Sequence, residues 1–135
     1  MKLYILDASA WLRLFLQDGP ALPGLDAAAA AVQRGDASFL APELILVEAA
    51  HALQRKRRAR LLKDQEVREL WVDMRRTPLE LLAVSDHIDA AMELSGKHEL
   101  SAYDALYLAV AMRTGATLLT ADGELHKVAA RLGAA

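Results

Sequence analysis

Four acidic residues, Asp7, Glu48, Asp104 and Asp122, stand in stretches where an unpaired carboxylate is disfavoured. Asp7 directly follows the apolar run Leu3-Tyr4-Ile5-Leu6, and Asp122 follows Leu118-Leu119-Thr120-Ala121. Asp104 lies in Ala102 to Met112, a segment apolar nearly all round, and a charge buried there must be paired or bind a metal. Glu48 is surrounded by Leu44 to Val47, Ala49, Ala50, Ala52 and Leu53. With His51 and Arg55 it forms a polar stripe at i, i+3, i+7, which reads as a narrow solvent face or as the lining of a cleft; the apolarity around it favours the cleft. Each acid also has a local explanation. Asp7 and Asp122 precede helical segments and suit N-caps, and Ser101 with Asp104 has capping-box spacing. The conjunction points further. Four carboxylates gathered in one cleft repel and raise one another's pKa, and a hard divalent cation relieves that conflict. Mg²⁺ and Mn²⁺ take oxygen ligands, and an all-carboxylate site with open positions suits metal-assisted phosphodiester hydrolysis.

The elements that would position these acids alternate in type. Strands are predicted at Leu3–Leu6, Ser38–Ala41, Leu79–Val84 and Thr117–Thr120. Helices are predicted at Ala8–Leu16, Leu25–Gln33, Pro42 to about Arg57, Lys63–Arg76, Asp86–Lys97 (capped by Ser85 or Asp86), Ala102–Arg113 and Asp122–Leu132. Gly19-Pro20-Ala21-Leu22-Pro23-Gly24 reads as a loop between two helices. Apolar strands alternating with helices imply a parallel α/β sheet covered on both faces, with ligands at the carboxyl ends of strands. Asp7 and Asp122 belong to that edge.

Composition bounds the alternatives. The 135 residues suffice for a single domain spanning 1–135, and 54% hydrophobic content opposes disorder. There is no cysteine, so thiol catalysis, disulfides and Cys-ligated zinc are excluded. No run is long enough to span a bilayer and the N-terminus does not resemble a signal peptide, so a soluble cytoplasmic protein is expected, without a membrane partner. No glycine-rich nucleotide motif is present. The net charge is −2, yet Arg55, Lys56, Arg57, Arg58, Arg60 and Lys63 form a basic block. That block suits guidance of an RNA backbone, docking of a protein partner, or a solvated helix end. Trp11 and Phe15, at i, i+4, suit base stacking or partner contact, with core or dimer packing favoured. His51, His87, His98 and His126 lack metal-ligand spacing among themselves, leaving His51 at most a minor role beside Glu48.

The segments Tyr4-Ile5-Leu6-Asp7-Ala8-Ser9, Leu46-Val47-Glu48-Ala49-Ala50-His51-Ala52-Leu53, Tyr103-Asp104-Ala105-Leu106-Tyr107-Leu108-Ala109 and Leu118-Leu119-Thr120-Ala121-Asp122 resemble, in order and spacing, the PIN-domain ribonucleases, and most closely the VapC-type toxins of toxin–antitoxin pairs. The resemblance covers essentially the whole chain. It implies a parallel sheet of four to five strands between helices and a metal-dependent endoribonuclease with Asp7, Glu48, Asp104 and Asp122 as the catalytic metal site. Asp7 and Asp104 would be direct Mg²⁺ or Mn²⁺ ligands. Glu48 and Asp122 would ligate directly, act through water or serve a second ion. Ser9 and Thr120 fall where the family often places a hydroxyl beside the metal, though they also suit a cap and a strand end. An RNA substrate, products with 5′-phosphate and 3′-hydroxyl ends, a cognate antitoxin and a homodimer are further implications. Two other readings stay open. One is phosphotransfer on a similar scaffold with Asp7 as nucleophile, weakened because position 9 is Ser and no Asp-Asp pair precedes Asp7. The other is a non-catalytic RNA- or partner-binding module.

Overall fold

A computed structural model describes residues 1–135. Strand β1 (Lys2–Leu6) leads into α1 (Ala8–Arg13), and α2 (Leu25–Gln33) precedes β2 (Ala37–Pro42). Helices α3 (Leu44–Arg58) and α4 (Asp64–Arg75) then cross to β3 (Leu79–Leu82). Helices α5 (Ile88–His98) and α6 (Ala102–Thr114) return the chain to β4 (Thr117–Leu119), and α7 (Gly123–Arg131) closes it. The four strands are all parallel, in the order β3-β2-β1-β4. The chain therefore winds outward from β1 through β2 to β3, then crosses back to lay β4 on the other side of β1. In open parallel sheets that reversal leaves a crevice outside the carboxyl ends of the two strands flanking it, here β1 and β4.

Burial explains why these segments take these forms. Ile5 and Leu6 of β1, Leu118 of β4, and Ile45 and Leu53 of α3 are all almost fully enclosed. Helix α6 is buried continuously from Ala105 to Ala111, as its all-round apolarity predicts. Gly115 ends it in the left-handed region at φ +71°, a conformation that glycine takes without Cβ strain. No helix is long and apolar enough to cross a membrane.

Several boundaries differ from the sequence expectation. Pro42 closes β2, opposite Leu82, instead of opening a helix, and α3 starts at Leu44. A proline at a strand end forfeits no interior ladder bond. Helix α1 stops at Arg13, short of Leu16. Strand β3 ends at Leu82, and a 3₁₀ turn spans Val84–Asp86. Neither Ser85 nor Asp86 caps α5. The buried His87 holds the N-cap position, its Nδ1 2.9 Å from the Ala83 carbonyl oxygen, and Arg113 donates to the Asp86 carbonyl at 3.1 Å. That tie lies in the tertiary packing of α6 against the turn. Trp11 is core: it is 1% exposed, donates from Nε1 to Thr77 Oγ1 at 3.0 Å, and packs at 6.3 Å between ring centroids on Trp71. Phe15 packs half-buried against the same core.

Candidate active site

The crevice is built from the ends of β1 and β4 and the helices that follow them. Leu6 pairs with Leu119, so Asp7 and Thr120 lie one step beyond the last paired residues, side by side. The Asp7 backbone N–H still donates to the Leu119 carbonyl at 3.3 Å. Asp7 is only 6% exposed. Its Oδ1 accepts from the Ala10 N–H at 2.9 Å, capping α1, and from the Ser9 hydroxyl at 2.6 Å; its Oδ2 accepts from the Thr120 hydroxyl. Ser9 Oγ in turn accepts from the Ala121 N–H at 2.9 Å, and Thr120 Oγ1 from the Asp122 N–H at 3.0 Å. The two hydroxyls thus stitch the end of β1 to the end of β4. Asp122 Oδ1 caps α7 through the Leu125 N–H at 3.0 Å.

The other two acids arrive on helices. Ser101 caps α6 by accepting from the Asp104 N–H at 3.1 Å, and the half-buried Asp104 carboxylate feels the charges of Asp122, Asp7 and Glu48. Glu48, half-buried on α3, accepts from the Tyr107 hydroxyl at 2.5 Å. Tyr107 is 1% exposed and lies one turn beyond Asp104 on α6. Sequence reasoning gave it no role; its i+3 spacing from Asp104 places both on one helix face, and that was the available signal.

The electrostatics show one shared environment. Burial pushes the Asp104 carboxyl up to about 6, with the charges of Asp122, Asp7 and Glu48 adding to it. Burial raises Asp7 as well, against the opposing hydrogen bonds of Ser9, Thr120 and Ala10 and with a contribution from Asp122. Burial raises Glu48, opposed by the Tyr107 hydrogen bond and reinforced by Asp7. Burial and then Glu48 keep the Tyr107 phenol un-ionised. No lysine or arginine pairs with any of the four acids. The donor set is therefore all oxygen, negatively charged and without a counter-cation, which fits a hard divalent ion in chemistry. No three acidic or histidine side chains are set to close on one ion as they stand. Asp7 Oδ2 and Glu48 Oε1 each accept one hydrogen bond and keep a lone pair for an ion.

His51 and Arg55 are exposed on α3. In the basic block, Lys56 pairs with Asp18 at 2.5 Å and Arg57 with Asp64 at 3.7 Å. Arg55, Arg58, Arg60 and Lys63 have no acidic partner. The block begins about 10 Å along the helix axis from Glu48, at 1.5 Å of rise per residue.

The sequence pattern of the PIN domain family matches residues 4–131, which takes in all four acids. The chain belongs to the PIN domain family. Among solved structures it is similar to PAE2754 from Pyrobaculum aerophilum, with a TM-score of 0.67 and 22% identity over 99% of this chain and 91% of that one. It is also similar to VapC20 of Mycobacterium tuberculosis, described as a sarcin-ricin loop cleaving toxin, with a TM-score of 0.66 and 18% identity over 93% and 94% of the two chains. VapBC2 from Rickettsia felis, solved with a DNA fragment from its promoter, gives a TM-score of 0.65 and 15% identity over 93% and 92%. At these identities the likeness is one of fold. No curated protein matches the chain significantly. The four-stranded parallel sheet flanked by helices is the PIN fold that the sequence resemblance implied.

Proposed function

We propose that this PIN domain is a divalent-metal-dependent endoribonuclease and the toxin member of a toxin–antitoxin pair. One observation carries the reading: four carboxylates with no counter-cation gather at the β1/β4 switch point, where burial first and then the charges of Asp122, Asp7 and Glu48 lift Asp104 to about 6. Family membership, and the RNA-cleaving toxin among proteins of the same fold, support it. Asp7 and Asp104 would hold the ion directly, with Glu48 and Asp122 completing the shell or acting through water. A bound Mg²⁺ or Mn²⁺ would lower the pKa of a water and neutralise charge on the scissile phosphate. The chain's own part is positional. Ser9 and Thr120 fix the Asp7 carboxylate, Ser101 fixes the first turn that carries Asp104, and Tyr107 aims Glu48. The unpaired cations of the Arg55–Lys63 block would attract the RNA backbone along the end of α3 and the turn into α4. We further propose a cognate antitoxin as protein partner, a homodimer as the assembled state, and the cytoplasm as the compartment.

Phosphotransfer through Asp7 keeps the weakness seen in the sequence: position 9 is Ser, where a second Asp would stand, and no Asp-Asp pair precedes Asp7.

The test is cleavage of a labelled single-stranded RNA by the purified protein. Mg²⁺ supports cleavage, EDTA abolishes it, and Asp104→Asn lowers the rate by more than about 100-fold, since even outer-sphere partners of metal sites are worth about 10–100-fold. Full activity in EDTA, or an active Asp104→Asn variant, rejects the reading. A folded protein that binds RNA and cleaves none identifies a binding module.

A further inference from the structure

Beside the acidic crevice lies a second concavity of about 630 Å³, within the range of ordinary small-ligand sites. Its floor is the outer part of β1 and β4, and its roof is the segment joining α1 to α2. At one end it reaches Thr120 and Asp122; at the other it reaches Lys2. Tyr4, Leu22, Pro23 and Leu119 supply apolar walls, and Lys2, Arg13 and His126 bring cationic or titratable nitrogens to it. Neither Lys2 nor Arg13 pairs with a carboxylate. The Lys2 ammonium lies 5.3 Å from the Tyr4 ring centroid.

The roof is held in place by the chain itself. Arg13 Nη1 donates to the Pro20 carbonyl at 2.6 Å. Gly19 sits at φ +135°, a backbone conformation that residues with a Cβ rarely adopt, so the turn of the segment depends on glycine. Pro20 and Pro23 further limit the segment's freedom. The far edge is closed as well: the Leu118 N–H donates to the Ala134 carbonyl at 2.7 Å, so the C-terminal segment occupies the outer edge of β4 where an added peptide strand would bond.

We infer that this cleft binds one nucleotide of a single-stranded RNA, its base between the apolar walls and its phosphate against Lys2 and Arg13, next to the nucleotide whose phosphate lies at the four acids. The inference rests on the nuclease reading for its place in the reaction. Size, apolar walls and unpaired cations suit a base with an attached phosphate. The covered β4 edge denies an extended peptide its ladder. The cleft then selects which nucleotide flanks the cut, since a preformed slot of fixed size discriminates purines from pyrimidines better than a phosphate contact does.

The experiment is an NMR titration of the ¹⁵N-labelled protein in EDTA with each of the four ribonucleoside 5′-monophosphates, and with inorganic phosphate alone. The expected result is movement of the Gly24, Ala27, Leu119 and Gly123 amides with at least one nucleotide and not with phosphate. Ala27 is exposed on α2 at the cleft, so Ala27→Trp fills the space without disturbing the core. It should weaken nucleotide binding at least about tenfold, and raise KM for RNA while leaving kcat unchanged, as loss of uniform binding requires. Lys2→Gln should weaken it less and flatten its salt dependence. Shifts equal to those from phosphate, shifts confined to residues 55–63, or binding indifferent to Ala27→Trp overturn the inference. So does occupation by an acidic Leu/Glu peptide and by no nucleotide, which assigns the cleft to a protein partner. Because the titration needs no turnover, nucleotide binding lost in Ala27→Trp sustains the site even where no cleavage is seen. RNA cleavage indifferent to Ala27→Trp overturns the site and leaves the nuclease.

Discussion

Asp104 carries the clearest energetic signature of the crevice. Its folded pKa of about 6 exceeds the ordinary 3.8, so the folded chain binds that proton more tightly than the unfolded one. The stability this group contributes is present in full below about pH 4 and is lost as pH rises through 6. Asp7 and Glu48, also raised, act with the same sign. In EDTA, thermal melts should therefore show Tm falling chiefly between about pH 4 and 6. Asp104→Asn should flatten that fall, and saturating Mg²⁺ should reverse it by binding only the folded form. A pH-independent Tm would contradict the shared electrostatics. Tyr107→Phe removes the donor to Glu48 Oε1. It should cost about 1 kcal/mol in urea melts, because Glu48 can recover water, and about tenfold in kcat with KM little changed. An unchanged kcat would reduce Tyr107 to packing. The acids were legible in the sequence because a charge amid apolar neighbours needs a reason. The Tyr107–Glu48 bond was not, since its partners are 59 residues apart and nothing local pairs them.

Helix α6 joins site to scaffold, carrying Asp104 and Tyr107 at one end and the buried run Ala105–Ala111 through the middle. Leu108 is fully buried there. Leu108→Ala should cost about 2–5 kcal/mol by chemical denaturation, and any cleavage lost at low temperature should track the unfolded fraction. A cost under about 1 kcal/mol would mean that the helix is not core. The four strands and seven α-helices were foreseen in type, because short, mostly apolar strand runs and helix start and stop residues are local signals; the 3₁₀ turn at Val84–Asp86 was not. The boundaries failed where tertiary contacts decide. Pro42 reads as a helix opener until β3 is known to pair with it. The start of α5 is set by His87 and Arg113 meeting the Val84–Asp86 turn, which no sequence window contains.

At the scale of the whole molecule, strand order places the crevice. Only with β4 beside β1 do Asp7 and Asp122, far apart in the chain, come together. The rule of ligands at strand carboxyl ends foresaw this edge; the order itself was not readable from alternation alone. The basic block runs from the last turn of α3 through Arg60 to Lys63 at the N-cap of α4, leading away from Glu48. Replacing Arg55, Arg58, Arg60 and Lys63 by Gln should weaken RNA binding and reduce the salt slope by as much as about 3, since each phosphate contact on a single strand contributes about 0.7. Unchanged RNA affinity with lost antitoxin binding would reassign the block to the protein partner. The central claim is that four scattered carboxylates gather to hold a hard cation. The most direct measurement is a crystal structure of the chain grown with Mn²⁺, using anomalous scattering to find the metal. We predict at least one Mn²⁺ ligated by both Asp7 and Asp104, with Glu48 and Asp122 direct or one water removed. Manganese elsewhere on the surface, with the Asp7 and Asp104 oxygens still too far apart to share an ion, would contradict the claim.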